Sequence, residues 1–563
     1  SRTGPFSLND ALAHHRAGDL ARAAQLYRQL LSHDPDHADA LHLLGVVALQ
    51  SGDSVSAITH IREAITKGTN QPAFHSNLGE ALRISGELEA AAAAFAGALA
   101  LDSEFADAHS NLGATLLALG RVDAAVEHLE SAVRINPNFP EAYMNLGNAM
   151  KDQGRYAKAA RCFAKVVELN PDIVQAHVNL GNALKKSGDP RGAQMHYEQA
   201  IHLRPQWSEA HTNLALLHAE QDRFDEARDV FQRLFEMTYG NEYWHVTTFT
   251  LPQVSESAPI ETTRFALIDS AEHIEHLIGQ GKLDASFSQM AGAYRSVIEQ
   301  LPGADDDALL TLTSWQSGKI ASFFRKIIRF VDAPRVAPSA VNPELDFRAI
   351  EDAYLTSPIA VTCFDNFLTP TALRALYEFC LDSTIFVGQA RGGFLTSYMG
   401  AGFHCSLLFQ IVEELKQAFP RLLANQTLGN MWVYRYPSEG EGVRAHTDEG
   451  SVTFNFWITP DVANLEIGRG GLVTYTKEQP LDWDWQRFNL DKDDSATRKE
   501  IDSFLLSANT ETIEYRANRA LLFHSNLFHR SDYFRFKDDY QSRRMNVTLL
   551  FGERGTDVRL RDL

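Results

Sequence analysis

Small and bulky apolar residues recur every 34 residues over the first 241 positions of the chain. Glycine occupies positions 45, 79, 113, 147 and 181, and Ala215 comes next in phase. Alanine recurs at 23, 57, 91, 125, 159, 193 and 227, each followed four residues later by a bulky side chain: Tyr27, Ile61, Phe95, Leu129, Phe163, Tyr197 and Phe231. Pro35, Pro137, Pro171 and Pro205 close four of the periods. The recurring positions divide the region into equivalent units. This gives seven units over 4–241. One such unit cannot bury its apolar face alone, so stacked units form a solenoid with a concave groove.

From 242 to 345 the period is lost. Segments 263–278 and 309–331 read as amphipathic helices, and Pro334, Pro338 and Pro343 mark a linker that ends near 345. No chemistry is read in this connector. Beyond it, 346–563 changes to short β-type runs at 359–363, 431–436, 451–458, 471–476, 520–523 and 545–551, separated by turns and a few helices. The expected architecture is therefore multidomain: an all-α solenoid, a helical connector, and a β-rich sandwich or barrel.

Composition narrows the class without naming it. A chain of 563 residues is too long for one core. With 44% hydrophobic and 22% charged residues it has the balance of a soluble globular protein. A formal net charge of −20 argues against a general binder of nucleic acid or anionic membrane. The four cysteines form no CxxC pair, which fits reduced thiols and a cytoplasmic setting. No signal-peptide pattern or bilayer-spanning run is read; the stretch 90–101 is too short and fits one repeat helix.

Three sets of residues carry candidate chemistry. The first is an asparagine ladder, Asn77, Asn111, Asn145, Asn179 and Asn213, with Asn9 in phase and Leu43 breaking the series. Two residues before the packed small residue, at roughly 100° per residue, this position lies nearly opposite it and faces the groove. A primary amide both donates and accepts, so it matches the C=O and N–H of an extended backbone without reading side chains. The second set is His75, His109, His177 and His211, with Tyr143 in the same phase. Neighbouring repeats lie too far apart for these to share an ion at ligand distances of about 2 Å, so they are read as packing residues. The third is Arg444-Ala445-His446-Thr447-Asp448. In an extended segment, residues two apart point the same way, so His446 and Asp448 offer an imidazole and a carboxylate to one metal. His524 and His529, on a distant strand, are the candidates for a third ligand. Two histidines and a carboxylate make a facial triad with open positions, suited to Fe(II).

The periodic region resembles the tetratricopeptide repeat, which implies that each unit is two antiparallel helices brought close by the small residues, and its ladder resembles that of the nucleocytoplasmic O-linked N-acetylglucosamine transferase, which implies capture of an extended polypeptide. Around His446 the order of motifs is Tyr434-Arg435-Tyr436-Pro437, the His-x-Asp segment, Gly470-Gly471-Leu472, Asn518 to Phe523, the distal histidine, and Arg544-Met545-Asn546. Together with Asp365-Asn366-Phe367-Leu368-Thr369, this order resembles the double-stranded β-helix (jelly roll) of the Fe(II)- and 2-oxoglutarate-dependent oxygenases, in particular the prolyl hydroxylase branch, over 358–553. The resemblance implies Fe(II) held by His446, Asp448 and His529, with 2-oxoglutarate and O₂ as cosubstrates. It implies that Arg544, with Arg543 as the alternative, pairs with the distal carboxylate, and that Tyr436 donates a hydrogen bond nearby. Trp457 stands where the branch often has a tyrosine.

The expected activity is hydroxylation of a protein or peptide, prolyl first, with no nucleic-acid or membrane partner. Two other readings stay open: an oxygenase acting on a small molecule or biosynthetic peptide whose repeats recruit a partner protein, and a non-enzymatic scaffold. The Gly-rich 389–403 reads as a lid, and 475–509, with Trp483 and Trp485, as a polar insertion.

Overall fold

The computed structural model describes residues 7–68, 71–243, 245–301, 308–389, 393–480, 482–483, 487–488 and 495–554. The chain divides into two compact units, 1–210 and 211–563.

In the first unit the 34-residue period becomes a series of helix pairs, for example Ala106–Ala118 with Val122–Ile135, Pro140–Asp152 with Tyr156–Leu169, and Val174–Lys186 with Pro190–Leu203. The in-phase glycines sit where the paired helices touch. A Cβ added at Gly113, Gly147 or Gly181 would lie 2.5 Å from Leu129, Phe163 or Tyr197, the bulky residue of the partner helix. A second glycine series, Gly18, Gly52, Gly86, Gly120, Gly154 and Gly188, turns the chain between the two helices of each pair. Its φ angles of +70° to +89° favour glycine. Several second helices begin with an aspartate whose carboxylate accepts an amide of the first turn: Asp19, Asp53 and Asp189.

The second unit contains the helix Phe224–Tyr239, the second helix of the seventh pair. Phe224 stacks on Phe409 at 5.4 Å, and Arg228 donates to the Ser406 hydroxyl at 2.7 Å, both on the helix Ser406–Ala418. The connector builds its own apolar core from Phe249, Leu267, Ile274, Met290, Tyr294, Ile320 and Phe323. Its first predicted helix is present as Arg264–Gly279. The second is not continuous. Leu309–Thr311 is a strand, β2, paired antiparallel with β1 (Glu261–Thr263), and the helix that follows spans only Ser314–Ile320. Thr313 starts that helix with a reciprocal capping box to Gln316, so the backbone before it is free to pair as a strand. The proline-marked segment is bonded along Ser406–Ala418: Val336 N–H donates to Gln410, and the N–H groups of Ala340 and Val341 donate to Glu414.

Twelve further strands complete the unit among the described residues: β3 (Val361–Phe364), β4 (Gly388–Gln389), β5 (Leu395–Tyr398), β6 (Leu428–Arg435), β7 (Glu439–Gly440), β8 (Val452–Trp457), β9 (Leu472–Glu478), β10 (Thr510–Ile513), β11 (Ala520–His524), β12 (Leu527–Ser531), β13 (Phe534–Arg535) and β14 (Met545–Phe551). They form antiparallel sheets of order β3-β11-β8-β14-β6-β5-β4 and β10-β9-β12, with β7 paired to β13. Every residue of β8 and β14 is buried, as expected of central strands covered on both faces. Among the described residues, no helix is long and apolar enough to cross a membrane.

Candidate metal centre

The loop after β7 brings His446 beside β12. His446 and His529 form an antiparallel bridge, each donating its N–H to the other's carbonyl at 3.0 Å. Directly opposed residues of this kind carry their side chains on one face, and the two imidazoles lie 4.3 Å apart, centre to centre. Two residues on, the Asp448 N–H donates to the Ser525 carbonyl at 2.9 Å, which turns its carboxylate toward both rings. Asp448 Oδ1 lies 3.8 Å from His446 Nε2, and Oδ2 lies 3.7 Å from His529 Nε2. One ligand atom from each residue falls within 4.8 Å of the others.

Both rings are oriented by backbone carbonyls. His446 Nδ1 sits 2.8 Å from the Arg444 carbonyl, and His529 Nδ1 sits 3.1 Å from that of Leu527. A carbonyl only accepts, so each Nδ1 carries the proton and each Nε2 turns a lone pair to the centre. His529 and Asp448 are buried. Of the two sequence candidates for third ligand, the structure brings His529 to this cluster. His524 belongs to β11 and faces Glu478, 3.4 Å away.

Arg543 and Arg544 separate just as sharply. Arg543 is held by Glu272 at 2.9 Å and Asp538 at 3.2 Å. Arg544 is fully buried, donates to the carbonyls of Gly470 at 2.7 Å and Gly471 at 3.1 Å, and packs over the rings of Tyr436 at 4.5 Å and Phe534 at 5.2 Å. Among the described residues no carboxylate lies within ion-pair distance of it, and its Nη1 has no hydrogen-bond partner. A buried guanidinium without a counter-ion is costly, and a carboxylate ligand relieves that cost. Burial pushes the Tyr436 phenol up, opposed by Arg544, so Tyr436 stays a neutral donor beside the guanidinium. Trp457 Nε1 is also buried and unpartnered.

The register extends this surface. Trp457, Asn546 and Tyr434 form one row across β8, β14 and β6, and Asn455, Thr548 and Trp432 form the next. Asn455 donates to Thr548 at 3.0 Å. Sequence reading passed over these polar residues, although polar side chains at alternate positions of otherwise apolar β8 (Thr453, Asn455) are their signal.

Within 389–403, read from sequence as a lid, Leu395–Tyr398 is strand β5 and Met399–Ala401 a short 3-10 turn. Residues 390–392 lie outside the described residues, but β5 pairs with β6, and Phe394 packs on Tyr434 at 4.9 Å and Tyr436 at 5.2 Å. The insertion packs against the segments that carry the candidate ligands. Phe488, Ile501 and Leu505 pack with Ala445 and Phe528, Trp483 stacks on Phe488 at 4.1 Å, and Thr447 donates to Gln479 at 2.5 Å. Trp485 lies outside the described residues. A separate cavity of about 610 Å³, lined by His276, Lys282, Arg374, Tyr377 and Asp382 among others, shares no residue with the triad.

In the first unit Asn77, Asn111, Asn145 and Asn179 occupy equivalent positions of successive first helices, each half-buried; Asn213 is half-buried in the seventh pair. Asn77 Nδ2 lies 2.8 Å from His42 Nε2, and Asn179 Nδ2 lies 3.5 Å from Met144 Sδ, each contact reaching one repeat back. Two of the periodic histidines pack within their own pairs: His109 Nδ1 meets His128 at 3.0 Å, and His177 Nδ1 meets His196 at 3.1 Å.

Models of the tetratricopeptide repeat match residues 8–72, 79–120, 114–154, 140–173 and 178–237. No curated protein matches this sequence. Similar solved structures include the C-terminal part of a TPR repeat-containing protein from Cytophaga hutchinsonii (18% identity, covering 42% of this chain and 97% of that one, TM-score 0.37). MamA from Desulfovibrio magneticus RS-1 is 25% identical over 31% of this chain and 97% of its own, with a TM-score of 0.29. YrrB, described as a TPR protein with an unusual peptide-binding site, is 21% identical over 33% and 96%, with a TM-score of 0.30. Period, helix pairing and family models agree, and the N-terminal part of this chain is a tetratricopeptide-repeat array.

Proposed function

We propose that the chain is an Fe(II)- and 2-oxoglutarate-dependent oxygenase that hydroxylates a protein or peptide held in extended form by the repeat array. The observation that carries this reading is the coexistence of two features: the His446–Asp448–His529 cluster, and the buried Arg544 without a counter-ion among the described residues. Two imidazoles and one carboxylate suit Fe(II) and leave positions open for a chelating ligand. Arg544 suits the far carboxylate of a dicarboxylate, with Tyr436 and Trp457 Nε1 as neutral donors around it. The strand order supports the same reading. Apart from β13, which pairs with β7, the strands from β8 onward divide between two sheets, β8 in one, β9 and β10 in the other, β11 back in the first, β12 in the second and β14 in the first, an order that fits a double-stranded β-helix.

Iron with 2-oxoglutarate and O₂ supplies the oxidising chemistry that inserts oxygen into a C–H bond and yields succinate and CO₂. The chain's own part is geometric and electrostatic. His446 and His529 present Nε2 lone pairs in tautomers fixed by backbone carbonyls. Asp448 adds one negative charge. Arg544 neutralises and orients the dicarboxylate, and the wall of Trp457, Leu521, Phe523 and Phe534 keeps bulk water out. In the array, the asparagine amides hold backbone groups of the substrate, and a prolyl side chain is the first expected target.

The deciding experiment incubates the full chain with Fe(II), 2-oxoglutarate, O₂ and captured cellular proteins, with His446→Ala as control. Succinate release and +16 Da products, both absent from the variant, are expected. Failure to bind either Fe(II) or 2-oxoglutarate, with no succinate formed, overturns the enzyme reading.

A further inference from the structure

One buried hydroxyl, that of Thr453, reaches the Asp448 carboxylate, and a second, that of Ser525, stands behind it. Thr453 Oγ1 lies 3.0 Å from Asp448 Oδ2 and 2.9 Å from Ser525 Oγ. Both hydroxyl residues are fully buried. We propose that Thr453 and Ser525 form a directed hydroxyl relay that positions the Asp448 carboxylate for the metal, an inference that rests on the metal-site reading above.

The direction follows from proton counting. A carboxylate only accepts, and a threonine hydroxyl carries one proton. Thr453 therefore donates to Asp448 Oδ2, and it must accept from Ser525, whose hydroxyl is the donor. Ser525 also holds Asp448 by the main chain: its carbonyl accepts the Asp448 N–H at 2.9 Å, while its own N–H donates to Ser451 at 3.0 Å. Asp448 is thus fixed at its backbone by Ser525 and at its carboxylate by Thr453. Thr453 lies in β8 and Ser525 directly follows β11, and the two strands pair with Thr453 opposite Phe523. A β-branched side chain has restricted χ1 freedom, so the Thr453 hydroxyl is held where Oδ2 needs it. The donor on Oδ2 fixes rotation of the carboxylate and leaves one orientation for binding an ion. Thr453 and Ser525 are positioning residues, and groups of this kind change metal affinity by roughly 10–100-fold when removed.

The test measures Co(II) binding to the metal-free full chain through the visible absorption of the bound ion. It compares the native protein with Thr453→Ser, Thr453→Val, Ser525→Ala and Asp448→Ala, and records thermal unfolding of each metal-free form. Thr453→Val should lose affinity by about 10–100-fold and shift the Co(II) spectrum. Thr453→Ser, which restores the donor, should recover both. Ser525→Ala should shift the spectrum in the same direction with a smaller loss, and it carries the test alone if Thr453→Val does not fold. Native affinity and spectrum in Thr453→Val or in Ser525→Ala, or failure of serine to restore them, overturns the relay. If Asp448→Ala abolishes binding while the hydroxyl variants bind as the native chain does, only the relay falls. A native chain that binds no Co(II) removes the metal reading and the relay together.

Discussion

The two units are held together over different distances along the chain. In the array, contacts join a residue to its own pair or to the pair before: Gly181 meets Tyr197, and Asn77 reaches His42, 35 residues back. Around the metal centre the bonds span far more chain, with Val443 tied to Ser531 across 88 residues and Asn455 to Thr548 across 93. A structure built from nearest-neighbour contacts behaves as a row of coupled segments, so a lesion spreads one or two repeats. A site built from distant strand pairs exists only when the whole sheet is formed. The same size of insult should therefore be local in one unit and global in the other.

The largest contrast should come from the ligands. Replacing His529 by alanine removes a candidate metal donor and the ring that meets Phe523 edge-on at 4.7 Å. Co(II) binding and succinate release should both disappear. The helical circular dichroism of the array should be unchanged, and a parallel loss of helical signal would contradict the contrast drawn above.

Next in size is the arginine pair. Arg544→Met should weaken 2-oxoglutarate binding by about 2–5 kcal/mol, the usual loss when one partner of a buried charge pair is truncated. Arg543→Met should leave that affinity nearly unchanged and lower the unfolding temperature, because Arg543 is bound to Glu272 and Asp538. Calorimetric titration of both variants checks this, and the reverse ranking would reassign the carboxylate site.

These arginines also show where sequence reading stops. The repeat was legible because close helix packing demands a small residue at one position of every period, and Gly113, Gly147 and Gly181 have no room for a side chain. The main strands were legible from their composition. The segment around His446 was legible because two-residue spacing in extended chain has a geometric meaning. Which of two adjacent buried arginines is left without a counter-ion has no local signal, since the answer depends on acids such as Glu272 supplied by other parts of the chain. The same holds for Thr453 and Ser525, which meet only after β8 and β11 pair. The 309–331 segment misled for a related reason: its apolar spacing fits a helix, but pairing with Glu261–Thr263 takes its first residues into a strand.

A lesion inside the array should be smaller and confined. In Gly181→Val the new side chain starts 2.5 Å from the Tyr197 ring, a distance only a shift of that ring or of the helix can relieve. Overpacking of this kind costs about 1–3 kcal/mol. Hydrogen exchange should quicken in the helices Val174–Lys186 and Pro190–Leu203 and their immediate neighbours, with Co(II) affinity unaltered. Loss of Co(II) binding in this variant would break the contrast between the units.

The smallest effect per residue is expected from the ladder. Each asparagine is half-buried on its helix, and alanine at these positions opens no cavity in the helix-pair contact, which Gly and the bulky residue make on the opposite side. Asn111→Ala, Asn145→Ala and Asn179→Ala should therefore leave thermal stability close to native, each alone and all combined. A hydrogen bond to a bound backbone is worth about 1 kcal/mol net, so single changes should weaken a long extended peptide several-fold, and the triple variant about a hundredfold if the rungs act independently. Fluorescence anisotropy with a labelled peptide recovered from the +16 Da screen measures this directly. Because backbone is the shared target, scrambling the peptide sequence should change affinity less than shortening it does. A triple variant that binds the long peptide as tightly as the native chain would leave the array without a role in substrate capture, while the metal centre could still turn over the same residue in a short peptide.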